Sequence, residues 1–185
     1  SVFEEHYSSV KKLKDDSTVI MEPFNSTIKG FHLDRSEELT QLSNHVAEKQ
    51  TTIIAGLAGT GKSALLKDFI RSYHTKSAVF IFKADQFNES ALSTVFSKIG
   101  INKAINNILV SIGYLQEKIV VIDSLEKLLE GDSENAFFQF LSLMKSYPDV
   151  KFICTSRSYA LNLVLSKYHI TDVDLLEIKL LSNGQ

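Results

Sequence analysis

Apolar residues fall along this chain in two alternating rhythms. Thr51-Thr52-Ile53-Ile54-Ala55, Ala78–Phe82, Ile119–Ile122, Val150–Thr155 and Asp174–Leu180 are strand-length runs rich in β-branched and aromatic residues. Between them, apolar positions recur at helical spacing. Leu39, Leu42 and Val46 share one face of a helix that Asp34 or Ser36 would cap and that runs to about Glu48. Further helices are predicted over 63–73, 89–98, 101–116, 135–146 and 160–167. Ile119–Ile122 is apolar at every position, as a strand buried on both faces requires. Strands alternating with helices predict an α/β fold: a parallel five-stranded sheet with helices on both faces. Ligands of such sheets bind beyond the carboxyl ends of the strands, so the chemistry is expected just after residues 55, 122 and 155.

Residues 1–30 read as an N-terminal helix and linker, and residues 31–185 as the core. A short helix over about 2–14 precedes a turn-rich stretch with Asp15-Asp16-Ser17 and Pro23. Lys11-Lys12-Leu13-Lys14 reads as a solvated helix end, because cations favour a helix C-terminus.

Three strand ends carry candidate chemistry. Gly56-Leu57-Ala58-Gly59-Thr60-Gly61-Lys62-Ser63, continued by Ala64, has the spacing of a phosphate-binding P-loop, after a strand and opening a helix. Glycines let the backbone turn tightly and aim N–H groups inward, where they and the helix N-terminus attract phosphate oxygens. Lys62 is expected to reach the β- and γ-phosphates and Ser63 to ligate Mg²⁺. Asp123 ends the third strand and is the second candidate Mg²⁺ ligand. Glu126, three residues on, is a candidate for positioning or deprotonating the attacking water. The fourth strand ends in Cys154-Thr155-Ser156-Arg157. A Ser or Thr there can orient water, and Arg157 can reach a γ-phosphate and stabilise transition-state charge. Cys154 reads as core, as do Phe137, Phe138 and Phe140.

Composition narrows the picture. The 185 residues suffice for about one domain. Twenty basic and 22 acidic residues leave a net charge of -2, without the broad basic footprint of a nucleic-acid or anionic-membrane binder. The lone cysteine excludes an intramolecular disulfide, and the cytoplasm is the expected compartment. No run approaches the ~20 apolar residues of a membrane span. The five histidines (6, 32, 45, 74 and 169) lack metal-ligand spacing, and no G-x-S-x-G elbow is present. The chain starts without Met and stops abruptly at Ser182-Asn183-Gly184-Gln185, so it is expected to be a piece of a longer protein.

These motifs together resemble the STAND class of P-loop NTPases, the regulatory ATPases that include the NACHT and NB-ARC families. Phe31-His32-Leu33-Asp34-Arg35-Ser36-Glu37-Glu38-Leu39 is similar to the motif that opens the domain. The P-loop, Val121-Ile122-Asp123-Ser124-Leu125-Glu126, Cys154-Thr155-Ser156-Arg157 and the strand Leu175–Ser182 complete the likeness, which spans roughly 31–182. The resemblance implies an ASCE-type P-loop core that binds ATP or ADP with Mg²⁺. Arg35 would join the nucleotide site, and Lys62, Asp123, Glu126 and Arg157 would form the catalytic set. It also implies a helical lid and later domains beyond this chain. The partners implied are those domains and, on activation, further copies of the protein.

Two departures bear on the chemistry. Asp34 stands where the opening motif usually has glycine, and Lys127 stands where many NACHT sequences place a second acid. Slow hydrolysis is therefore expected. Asn102-Lys103-Ala104-Ile105 lacks the Asp of a guanine-reading segment, which favours ATP over GTP. The closest likeness is to bacterial STAND proteins of defence systems. Two alternatives stay open: an AAA+-type ATPase acting on DNA or protein, whose acid strand normally ends in Asp-Glu, and a non-hydrolysing nucleotide-binding interaction module.

Overall fold

The structure is a computed structural model. It describes residues 2–24, 27–28, 31–32, 34–72, 77–102, 107–108 and 117–179. In chain order, helix α1 (Val2–Met21) is followed by the short antiparallel strands β1 (Thr27–Ile28) and β2 (Phe31–His32), then α2 (Ser36–Glu48) and β3 (Thr51–Gly56). Next come α3 (Lys62–Ser72), β4 (Ser77–Lys83), a 3-10 turn at Ala84–Phe87, α4 (Leu92–Lys98) and β5 (Glu117–Asp123). A second 3-10 helix (Leu125–Glu130) leads to α5 (Ala136–Met144), β6 (Val150–Ser156), α6 (Ser158–Lys167) and β7 (Asp174–Ile178). Most of the helix predicted over 101–116 lies outside the described residues, as does Leu180 of the strand predicted from Asp174, which ends at Ile178.

The five long strands form one parallel sheet in the order β4-β5-β6-β3-β7. The expected α/β architecture is thus present. Strand β6 intervenes between β3 and β5. Alternation within each strand feeds two cores. Ile119 and Val121 point to one layer with Ile54, Leu65, Leu66 and Phe69. Val120 and Ile122 point to the other, which is rich in aromatic rings. There Phe82 packs edge-on against Phe87 and Phe96, with centroids 5.4 and 6.0 Å apart. Phe137 and Phe140 belong to this core, whereas Phe138 on the same helix faces outward and is 42% exposed.

Helix α1 continues seven residues past Lys14, through the stretch that reads as a turn. The reason is tertiary. Leu13 is buried in the aromatic layer and Ile20 in the opposite one, so the helix straddles the edge of the sheet. Ser17 lies between them. Its hydroxyl donates to Leu13 O at 2.6 Å and accepts from the Ile81 N–H of edge strand β4 at 2.8 Å. An edge strand exposes unpaired N–H groups that invite another strand. Here Ser17 satisfies one, and Gln86 Oε1 accepts another from Lys83 at 2.7 Å.

Parallel register brings the strand ends together. Ala55 pairs with Ser156, and Ile122 with Cys154. Gly56, Asp123 and Arg157 therefore emerge side by side at the carboxyl end of the sheet.

Candidate functional site

The P-loop runs from the end of β3 into α3. Gly56 has no room for a side chain: a Cβ there would stand 2.7 Å from Ile178 O of β7 and 2.7 Å from Thr60 Oγ1. Gly61 adopts φ +85°, which L side chains rarely take, and a Cβ there would meet Arg35 Nη2 at 2.3 Å. That contact explains Arg35. Its guanidinium is buried beneath the loop, 5% exposed, and Nη2 donates to Thr60 O at 2.8 Å. Its Nε has no hydrogen-bond partner among the described residues. Leu57, Ala58 and Gly59 form the exposed crest of the loop, while Ser63 and Ala64 lie in the first turn of α3.

Lys62 folds back onto the loop. Its Nζ donates to Gly56 O at 2.9 Å and to Leu57 O at 2.8 Å. Burial lowers its pKa from the usual lysine value, aided by the positive charge of Arg157 and opposed by Glu126 and Asp123. All three side chains thus act on the P-loop cation, as the convergence of the strand ends requires.

Asp123 is held by Thr155 of the neighbouring strand β6. Thr155 donates its hydroxyl proton to Asp123 Oδ1 at 2.6 Å and accepts the Ser124 N–H at 2.8 Å. Its hydroxyl proton thus orients the carboxylate. Ser124 Oγ lies 3.3 Å from Asp123 Oδ2. The backbone at Ser124 is left-handed, φ 66°, so the chain turns sharply as it leaves β5. No glycine or asparagine marks that turn in the sequence. The carboxylate and the nearby hydroxyl oxygens are the hard donors that Mg²⁺ selects. Among the described residues, Asp123 Oδ2 is engaged only by the long Ser124 contact, so the donor set fits the ion.

Glu126 and Arg157 meet each other. Glu126 Oε2 accepts the Arg157 backbone N–H at 3.1 Å, and Oε1 lies 3.3 Å from Arg157 Nε in an ion pair. The Glu126 side chain is 13% exposed and that of Arg157 42%. Among the described residues no group of three His, Cys, Asp or Glu side chains could hold a metal ion. No helix among them is long and apolar enough to cross a membrane.

A glycine-rich loop between strand and helix, an acid ending a strand two places away, and a parallel sheet in this order define one architecture. The chain has an α/β P-loop fold. Solved structures agree on the fold. The Walker-type ATPase PABY2304 of Pyrococcus abyssi superposes with a TM-score of 0.61 at 18% identity, covering 81% of this chain and 54% of that one. A katanin structure concerned with self-assembly gives 0.55 at 13% identity, covering 88% and 58%. The Aeropyrum pernix Orc1 protein, in complex with DNA, gives 0.56 at 16% identity, covering 88% and 48%. The chain thus spans about half the length of these proteins. No family model and no curated protein sequence matches it.

Proposed function

We propose that this chain is the nucleotide-binding core of an ATP-dependent switch of the STAND type, within a larger cytoplasmic signalling or defence protein. One observation carries the reading: Lys62, Asp123 and Arg157 converge at the ends of three neighbouring strands, around a loop built for phosphate. In this reading ATP binds with its phosphates on the P-loop N–H groups. Lys62 leaves the Gly56 and Leu57 carbonyls for the β- and γ-phosphates. Ser63 and Asp123 would hold Mg²⁺, which neutralises phosphate charge when bound. Arg35 supports the loop from beneath, at Thr60. Arg157 reads the γ-phosphate, which only ATP supplies, so ATP and ADP favour different arrangements of the core against neighbouring domains or copies. Hydrolysis is slow, because Lys127 stands where a second acid would support Glu126, the nearest candidate base.

An AAA+-type ATPase acting on DNA or protein is the second reading, favoured by the likeness to katanin and Orc1. Ser124, standing after Asp123 where a motor would place Glu, supports the switch instead. Nucleotide competition on Arg157→Ala tests the choice. Charge-assisted bonds to terminal phosphate oxygens contribute about 1.5–3 kcal/mol. The variant should lose roughly tenfold or more in ATP affinity, with ADP affinity little changed. Equal losses for both nucleotides, or none, would remove the switch reading.

A further inference from the structure

Arg157 already has a partner within the chain. Its guanidinium rests on the Glu126 carboxylate, and its backbone N–H binds the other oxygen of the same group. The two elements that carry the pair are clamped at their far ends. Lys167 Nζ, at the end of α6, donates to Leu128 O at 2.9 Å and to Gly131 O. Tyr168 Oη contacts Leu128 O at 3.3 Å and accepts from Asn135 Nδ2 at 2.8 Å. The pair therefore does not open by separating α6 from the 3-10 helix. It opens by rotation of one side chain. Glu126 is the more buried and doubly bonded partner, and Arg157 is the more exposed one, so the guanidinium is the part that moves.

We infer that Glu126 is an internal stand-in for the γ-phosphate: it holds Arg157 in the empty and ADP states and surrenders it to ATP. The inference rests on the proposed reading of Arg157 as the γ-phosphate sensor. When the guanidinium turns away, the Arg157 backbone N–H still fixes Oε2, so Glu126 stays in place with Oε1 freed. One event then both reports ATP and releases the candidate base. The ATP affinity of the protein is lower than the site could deliver, because the γ-phosphate must compete for its reader.

A double-mutant cycle tests this. Glu126→Gln keeps the shape and the amide oxygen that can accept the Arg157 N–H, but weakens the hold on the guanidinium. A partly exposed ion pair contributes about 0.2–1 kcal/mol. Glu126→Gln should therefore raise ATP affinity about 1.4- to fivefold and leave ADP affinity unchanged. In the Arg157→Ala background the same substitution should bring no gain. Without nucleotide, the Arg157 Nε–H resonance should show slower exchange with solvent in the parent than in Glu126→Gln, and ADP should leave the parent signal as it is. A gain that persists without Arg157 would mean simple charge repulsion and would overturn the inference. So would a gain for ADP, no gain for ATP, or an Arg157 resonance indifferent to Glu126→Gln. The proposed sensor role fails separately, if Arg157→Ala alone costs ATP and ADP equally.

Discussion

Replacing Thr155 with valine keeps the shape of the side chain and deletes its hydroxyl. Thr155 is 1% exposed, so no water can take over at once. Two bonds are lost together, the short one to Asp123 Oδ1 and the one from the Ser124 N–H. A hydrogen bond to a charged group contributes about 1.5–3 kcal/mol, and a stranded buried N–H costs about 1–3 kcal/mol. Asp123 is half-buried and can turn toward solvent, so the lower ends apply and the sum is about 2–3 kcal/mol. Urea unfolding followed by circular dichroism measures this directly, with the midpoint falling and the slope unchanged. Thr155→Ser keeps the hydroxyl and should stay within about 1 kcal/mol of the parent, the value of one methyl group. A Thr155→Val protein within about 0.5 kcal/mol of the parent would show that the hydroxyl does not hold the acid strand to β6.

Other substitutions probe separate links. Asp123→Asn should weaken nucleotide affinity in Mg²⁺ far more than in EDTA, and equal losses by calorimetry would contradict its role as metal ligand. Ser17→Val strands the Ile81 N–H at the sheet edge and should cost about 1–3 kcal/mol in urea unfolding, whereas a neutral result would mean that α1 does not cap β4. Burial pushes the Cys154 thiol up to about 12. The native protein should therefore resist a thiolate-directed reagent at pH 8 and react once unfolded, and rapid labelling of the native state would refute the burial.

The parts legible from sequence are those set by local rules. The P-loop shows itself because a phosphate nest needs glycines at fixed spacing and a helix start at Lys62. The acid strand shows itself because both faces of β5 are buried, leaving a continuous apolar run that ends at Asp123. What stayed hidden depends on residues far apart in the chain. Ser17 reads as a turn former beside Asp15 and Asp16, yet its partner is Ile81, across the sheet edge. The bond from Thr155 to Asp123 is hidden in the same way, because only the register of β5 and β6 sets the two side by side. Glu126 and Arg157 each read as facing the γ-phosphate, and only the adjacency of β5 and β6 reveals that they face one another. Ser124 takes a left-handed backbone with no glycine to announce it, because the Thr155 hydroxyl holds its N–H in place.

The central claim is that the Gly56–Ser63 loop binds the phosphates of ATP through its backbone and Lys62. Isothermal titration of MgATP into the parent and into Lys62→Ala tests it most directly. The ammonium now bonds two carbonyls of its own loop and would exchange them for charged phosphate oxygens, each such bond worth about 1.5–3 kcal/mol. The account predicts binding by the parent and a loss of roughly tenfold or more, up to complete loss, in the variant. Equal affinity in the two proteins, or no binding by the parent, would contradict it.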